Sequence, residues 1–583
     1  MSKRWVTREC DRQDLVEKLA SSLNIDAVLS TLLVQRGIAS FPEARDFFRP
    51  SLDNLHDPFL IKDMDLAIER IERAFEKNER ILVYGDYDVD GTTSVALVYS
   101  FLNQIHQNID FYIPDRFTEG YGVSFEGIDH ASNTNVSLII ALDCGVKANS
   151  QINYALEKGI DFIVIDHHRP SDELPKAVAV LDPKRADCQY PYKELSGCGL
   201  GFKLAQAYYQ KHRMPFEKLE EYLDLVVVSI AADVVPITGE NRILAHFGLK
   251  RLNLNPRPGF ESILYYNNIL QTSNPTKETV FSRQIVINDL MFIIGPRINA
   301  AGRIENGKTA VSLLLCQEMA QTHQLCHSIN SNNIERRSLD TSITEQAIKR
   351  IKKDQNHGDL KTTIIYDPDW SKGVIGIVAS RLIDSFYRPT IVFTESNGLV
   401  TGSARSVKNF DVYNAIDACS HYLEHFGGHM YAAGLSLKPE NLEAFKEAFN
   451  REVEKTITDD MLVPEIEIDA EVKLETIAGR FFRILKQYEP FGPENHNPVF
   501  ITKNCMVKGR PRLLSSKHLK FSVVQANSKQ VVFSAIAFHQ GHLFDKLASD
   551  TLFDMVYQVE ENQWAGKTTL QLNVKDIRFP ETN

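Results

Sequence analysis

The chain has 583 residues, 43% of them hydrophobic and 24% charged, with a formal net charge of -11. That length is too great for one core and calls for roughly three or four domains of about 100–200 residues, and the acidic total excludes a sequence-blind polybasic coat while leaving room for a local basic channel. Eight cysteines with no CxxC pair point to reduced thiols in a cytoplasmic protein, the opening MSKRWVTRECDRQDL lacks the apolar core of a secretory signal, and the absence of a window of about 18 uninterrupted apolar residues predicts no membrane helix.

Residues 1–60 predict an N-terminal helical segment of short amphipathic helices, as in LVEKLASSL and AVLSTLLVQRG. From Ile81 short apolar strands (ILVYG, IDFYIP, SLIIALD, DFIVID) alternate with helices (TTSVALVYSFLNQIH, NSQINYALEKG). That alternation predicts a parallel sheet covered on both faces, in a domain spanning 61–265. Within it YLDLVVVSIAADVVP reads as a buried helix ending near Asp233. A helical connector follows over 266–355, including the charged stretch CHSINSNNIERRSLDTSITEQAIKRIKKDQ. A second, smaller α/β unit covers 356–455, from TTIIYDPDW through GGHMYAAGLSL. Over 456–583 five short strands separated by turns predict a small β-barrel.

The chemistry gathers at strand ends. Asp86, Asp88 and Asp90 in GDYDVDG follow the first strand of the parallel sheet, Asp143 follows LIIAL, and Asp166, His167 and His168 follow DFIVI. All stand at carboxyl ends of parallel strands, the edge on which open α/β sheets form their crevices. Asp233, ending an apolar helix, starts from a buried position. A single strand-end aspartate is commonly just a cap or turn residue; the set is different, because like charges this close repel and burying them is costly. Two divalent cations resolve that cost, one bridging carboxylate serving both. Oxygen-rich donors with one or two imidazoles and no thiolate favour Mn²⁺ or Mg²⁺ over structural Zn²⁺. The competing reading of DxDxD, an EF-hand-like calcium loop, requires Glu at its twelfth position, where this chain has Leu97.

The succession GDYDVDG, ALDCG, IDHH and AADVVP resembles the four-motif core of the DHH phosphoesterases. The segments YIPDRFTEGYG, GPRINAAGR, GVIGIVASRL and FGGHMYAAG are similar to those of the family's bacterial single-strand exonucleases, and EPFGPENHNPVF and QWAGKTTLQLNVKDI to their OB-fold. The resemblance covers almost the whole chain. It implies an α/β protein: a parallel-sheet DHH domain joined by a long helix to a smaller DHHA1-like domain, then a C-terminal OB-fold barrel. It implies degradation of single-stranded DNA from the 5′ end to mononucleotides, by two-metal hydrolysis, in DNA repair and recombination. By analogy Asp88 and Asp143 help hold one ion, and Asp90, Asp143, His167 and Asp233 the other, with Asp143 bridging. Asp86 is a further ligand or orients one, His168 faces the scissile phosphate, and Asp166 fixes the histidine orientation. A single-strand-binding protein and a helicase are the partners the resemblance implies, for a monomer with no membrane association. One position departs from the family: a histidine commonly follows the tryptophan before GVIGIVAS, and here it is Ser371. Alternatives are a DHH phosphodiesterase acting on short oligonucleotides or cyclic dinucleotides, against which the barrel argues, and a non-catalytic single-strand-binding scaffold, against which the full set of acids and histidines argues.

An exonuclease needs an end sensor. Arg116 in IPDRF and Arg297 and Arg303 in PRINAAGR are candidates to grip a 5′-phosphate, the competing reading being structural ion pairs. Gly428 in FGGHMYAAG allows close backbone approach to the strand and His429 can donate to a phosphate. In the barrel, Lys508, Arg510 and Arg512 belong to a run with Lys503, Lys517 and Lys520 that contains no acid, as in basic single-strand grooves. GRIENGKT, Gly302 to Thr309, matches the phosphate-loop pattern. That motif requires a strand directly before its first glycine, and GPRINAA separates Gly302 from the apolar run MFII.

Overall fold

Alternate residues of the first strands face two different cores, which is why these segments read as continuous apolar runs. The computed structural model describes residues 3–580 apart from 117, 305, 354–359, 478, 527, 550 and 565–566, and excludes the side chains of 303, 304, 529, 530, 563, 564 and 567. Its first sheet is five-stranded and parallel, in the order Ile109–Tyr112, Arg80–Gly85, Val136–Leu142, Asp161–Ile165, Ala179–Leu181. Val83, Ile140 and Ile163 pack toward the helices Val89–Asn103, Gly197–Lys211 and Leu223–Ala232. Leu82, Ile139 and Phe162 pack toward Phe125–Asn133 and Asn149–Glu157 on the other face. All strands point the same way, so their carboxyl ends share one rim.

The predicted connector helix runs from Met319 to Lys353. Its first half belongs to the core of the first domain through Cys326 and Ile329, and its second half to the next domain through Ile343, Ala347 and Ile351. That domain carries a mixed sheet in the order Leu423–His429, Ala432–Leu437, Leu399–Arg405, Thr390–Ser396, Thr363–Tyr366. The five predicted C-terminal strands form a closed barrel: Phe500–Val507 pairs with both Phe553–Trp564 and His518–Gln525.

Two features were not foreseen. Residues 1–60 are not all helical among those described: Arg4–Thr7 is a strand, parallel to Glu465–Ile468. Four residues are too few to show a period, and the partner strand lies far along the chain. The following helices, Gln13–Leu23, Ala27–Gln35 and Phe41–Phe48, add Leu19, Leu29, Leu32 and Ala44 to the barrel's own core. Second, MFII lies in a π-helical turn, Leu290–Ile294, that runs into the helix Gly295–Ile304. Gly302 of the phosphate-loop-like motif therefore sits inside a helix. A Cβ there would fall 2.9 Å from the Tyr87 carbonyl, and one on Gly307 would fall 3.2 Å from Tyr87 Cβ. These glycines let helices pack closely behind the GDYDVDG loop.

Candidate metal centre and adjoining cleft

The GDYDVDG loop is shaped by its own acids. Asp88 caps the helix Val89–Asn103, its Oδ1 accepting from the Gly91 amide at 2.9 Å. A Cβ on Gly91 would lie 2.4 Å from the Asp86 carbonyl oxygen, so only glycine permits this turn. Asp86 is buried, and its Oδ1 accepts from the Gly122 amide at 3.3 Å. Asp90 is clamped: the amides of Gly197 and Cys198, at the start of the helix Gly197–Lys211, donate to its two oxygens at 2.7 and 2.8 Å, and Ser229 Oγ donates at 2.7 Å. A helix N-terminus favours that negative charge.

Asp143 follows its strand in a left-handed conformation, φ 58°, which aspartate tolerates better than most residues. Gly197 lets the neighbouring helix approach, since a Cβ there would come within 2.8 Å of Asp143 Cβ. His167 Nε2 is the hub: it lies 3.1 Å from Asp143 Oδ1, 3.5 Å from Asp233 Oδ2 and 3.7 Å from Asp90 Oδ2. Asp233 arrives from the end of the buried helix Leu223–Ala232. Two sets of donors, Asp143–His167–His168 and Asp90–His167–Asp233, place their ligand atoms within 4.8 Å of one another. Asp86 and Asp88 border the same site outside those two sets.

Asp166 anchors the His-His pair. Its Oδ1 accepts from His168 Nδ1 at 2.7 Å and from the amides of His167 and His168 at 2.8 and 3.1 Å, and its Oδ2 accepts from the Val146 amide at 3.0 Å. Burial opposes its charge, but the hydrogen bond and charge of His168 prevail and hold Asp166 at about 2. For His168 burial likewise works against the charged form, and Asp166 outweighs it, raising the imidazole to about 9. Asp166 therefore orients His168. The Nε2 of His168 lies 3.5 Å from the hydroxyl of the exposed Tyr121.

The other carboxyls behave in the opposite way. Burial first and neighbouring carboxylates second push Asp86, Asp88, Asp143 and Asp233 above the usual range. Both oxygens of Asp143, Oδ2 of Asp86 and both ring nitrogens of His167 are buried without a hydrogen bond. Orphaned acceptors at this density are costly in a dry interior. Oxygen and imidazole donors with no thiolate fit hard divalent cations, so the residues present fit the ions the fold implies.

Beside this centre a cavity of about 470 Å³ opens between the first and second domains. Tyr87, Arg116 and Gly120 line it from the first domain, Lys372, Ser403 and Arg405 from the second. The Arg116 guanidinium lies over the Tyr87 ring, 5.0 Å from its centroid, and its charge favours ionised Asp86. Arg405 is pulled below its usual value by burial, with no acid to offset this; its Nη1 donates to Ser403 Oγ and the Ala404 carbonyl.

The remaining expected contacts are placed elsewhere. Arg297 is turned inward: it is 6% exposed and donates to the Ile293 carbonyl, Asn330 Oδ1 and Asn267 Oδ1, all within the helical connector. A buried, fully engaged guanidinium has little left for a phosphate. The Arg303 side chain lies outside the described residues. Gly428 sits in the strand Leu423–His429, where a Cβ would fall 2.3 Å from the Ala432 carbonyl. His429 is exposed at the end of that strand, opposite Ala432. Lys508, Arg510 and Arg512 are exposed on the barrel, Arg512 paired across strands with Lys520. Sequence reasoning had not singled out Arg405, Lys372, Tyr121 or the Gly197–Cys198–Ser229 clamp. The glycine-rich SGCGLG opening of a helix was the one local signal of close approach; nothing marks Arg405 in GSARS except its lack of a nearby acid.

A parallel sheet with an Asp/His cluster on its carboxyl rim defines a DHH-type protein, and residues 80–230 match the DHH family, N-terminal domain. Residues 359–455 match the DHHA1 domain and 468–576 the RecJ OB domain. The single-stranded-DNA-specific exonuclease RecJ of Bacillus subtilis (strain 168) is 34% identical over 581 residues, 99% of this chain and 71% of that protein. The exonuclease of the same name from Dickeya dadantii (strain 3937) is 31% identical, covering 95% of this chain and 96% of its own length. The crystal structure of RecJ in complex with Mn²⁺ from Thermus thermophilus superposes with a TM-score of 0.82 at 25% identity, over 99% of this chain and 80% of that one. The chain belongs to the RecJ family. Among the described residues no helix is long and apolar enough to cross a membrane.

Proposed function

We propose that this chain is a metal-dependent exonuclease that degrades single-stranded DNA from the 5′ end to mononucleotides. The observation that carries the reading is the cluster of buried, unpaired carboxylate and imidazole atoms beside a cavity lined by arginines and no acid. His167 is common to the two donor sets and Asp143 Oδ1 lies 3.1 Å from its Nε2; Asp143 would be the residue suited to bridge two Mn²⁺ or Mg²⁺ ions, with Asp88 on one side and Asp90, His167 and Asp233 on the other, and Asp86 bordering the first. Bound there, the ions supply the Lewis acidity that activates a water and offsets charge on the departing 3′-oxygen. His168, held by Asp166, presents a proton at Nε2 toward the cleft and donates it in a hydrogen bond to the scissile phosphate. Arg116 and Arg405 take the terminal 5′-phosphate through guanidinium forks, which sets the direction of degradation. Gly428 and His429 border the path of the strand, and the barrel face with Lys508, Arg510 and Arg512 tracks its backbone. The same reading places the protein in DNA repair and recombination, as a cytoplasmic monomer working with a single-strand-binding protein and a helicase. End-labelled single-stranded and duplex DNA, incubated with Mn²⁺, Mg²⁺ or chelator and resolved by product length, tests it. Mononucleotides released from single strands alone, and only with metal, are expected; activity in chelator or on blunt duplex overturns it.

A further inference from the structure

The cavity between the first two domains is larger and more cationic than a terminal phosphate requires. At about 470 Å³ it falls in the range of about 300–1,000 Å³ that encloses whole small-molecule ligands. Its charged lining consists of Arg116, Lys372 and Arg405, with no carboxylate. A terminal phosphomonoester carries about -1.5 to -2 charges at neutral pH, which two guanidiniums already match. Lys372 is the surplus. It is exposed at the second-domain wall and has no acid partner among the described residues. It also stands directly after Ser371, where the chain departs from its family's usual histidine. The wall beside it is built of Gly373, Gly376 and Gly402, and a Cβ on Gly376 would crowd Arg405 Nη2 at 3.0 Å.

We infer that this cavity accepts single strands whose 5′ end carries a di- or triphosphate, the outer phosphates lying along Lys372. The inference rests on the exonuclease reading and extends its substrate class. The chemistry is one hydrolysis. Water adds to the phosphorus between the first and second nucleotides, and the bond from that phosphorus to the first nucleotide's 3′-oxygen breaks. The 3′-oxygen takes up a proton, and the water's proton passes to solvent. The first product is a nucleoside 5′-triphosphate, and the remaining strand carries an ordinary 5′-monophosphate. No bond within the triphosphate is cleaved.

The test compares one DNA oligonucleotide made with a 5′-triphosphate, a 5′-monophosphate or a 5′-hydroxyl, using the full chain with Mn²⁺ and separating products by anion exchange. The triphosphorylated strand should be cut with kcat/KM within about threefold of the monophosphorylated one, its first product being the nucleoside triphosphate. Lys372→Ala should lower the triphosphate-to-monophosphate ratio of kcat/KM by about fivefold, the effect of one charge contact at a solvent-facing site, and Lys372→Glu should lower it further. The ratio is insensitive to a general loss of folded protein. Cleavage of the monophosphorylated strand with the triphosphorylated one refused overturns the inference alone, as does release of pyrophosphate or a ratio unmoved in both variants. No cleavage of the monophosphorylated strand overturns the exonuclease reading, and this inference with it.

Discussion

His167 Nε2 lies 3.1 Å from Asp143 Oδ1, and both atoms are buried without a hydrogen bond. They are donors waiting for a shared positive charge. Asp143→Ala and His167→Ala should each lower cleavage on the order of 10³-fold or more, the several kcal/mol of transition-state stabilisation that a bound metal supplies. Circular dichroism should show folded protein. Near-parental turnover in Asp143→Ala would sink the shared-metal assignment.

His168 is tied to Asp166 at 2.7 Å through Nδ1. Asp166→Asn keeps the shape and removes the charge that orients the ring, so activity should fall about 10–100-fold. Metal content, read by mass spectrometry of the dialysed protein, should stay close to the parent's. Loss of metal in proportion to activity would make Asp166 part of the metal site.

Burial, then neighbouring carboxylates, raise Asp86, Asp143 and Asp233. Metal-free protein thus holds more protons than the unfolded chain between the ordinary carboxylate range and these raised values, and its stability falls as pH rises through that window. A cation needs the ionised form, so its binding expels protons. Mn²⁺ affinity should climb as pH rises above the ordinary carboxylate range. Calorimetry in buffers of different ionisation enthalpy should detect the released protons, and the rise in Tm on adding Mn²⁺ should grow with pH. A pH-independent affinity with no proton release contradicts the site.

Arg116 and Arg405 face one cavity. Arg405→Ala and Arg116→Ala should reduce the preference for a 5′-phosphate over a 5′-hydroxyl by roughly 10–100-fold, as expected for charge-assisted hydrogen bonds of about 1.5–3 kcal/mol. The metals should be retained, since neither side chain can ligate a cation. The barrel variants Lys508→Ala and Arg510→Ala should instead weaken binding of long strands and lower its salt dependence. Identical losses in both sets on every substrate would refute separate end and strand contacts.

Arg297, 6% exposed and hydrogen-bonded to three carbonyl oxygens, should matter for stability. Arg297→Ala removes a buried side chain and its three hydrogen bonds and should cost about 2–4 kcal/mol, seen as a lower midpoint in urea. Its preference for 5′-phosphorylated ends should match the parent's. An altered end preference at unchanged stability would return Arg297 to the cleft.

The strands of the first sheet and of the barrel were legible because their signal is local. Apolar runs such as ILVYG and DFIVI show their period in a few contiguous residues, and an aspartate directly after such a run must stand on the rim of a parallel sheet. Asp86, Asp88, Asp90, Asp143, Asp166 and the two histidines were therefore visible as one group before any coordinates. The division of labour within that group was implied only by the family resemblance and not by the residues' own pattern. Whether His167 or His168 turns inward depends on which ring Asp166 holds, and Asp233 joins only because a helix from the far side of the core ends there. Arg297 and Arg405 look alike as letters; one is enclosed by neighbouring helices and the other opens on a cavity between domains. The strand Arg4–Thr7 exists only beside Glu465–Ile468. Such long-range pairings follow from the free energy of burying whole surfaces together, which neighbouring residues in the chain do not encode.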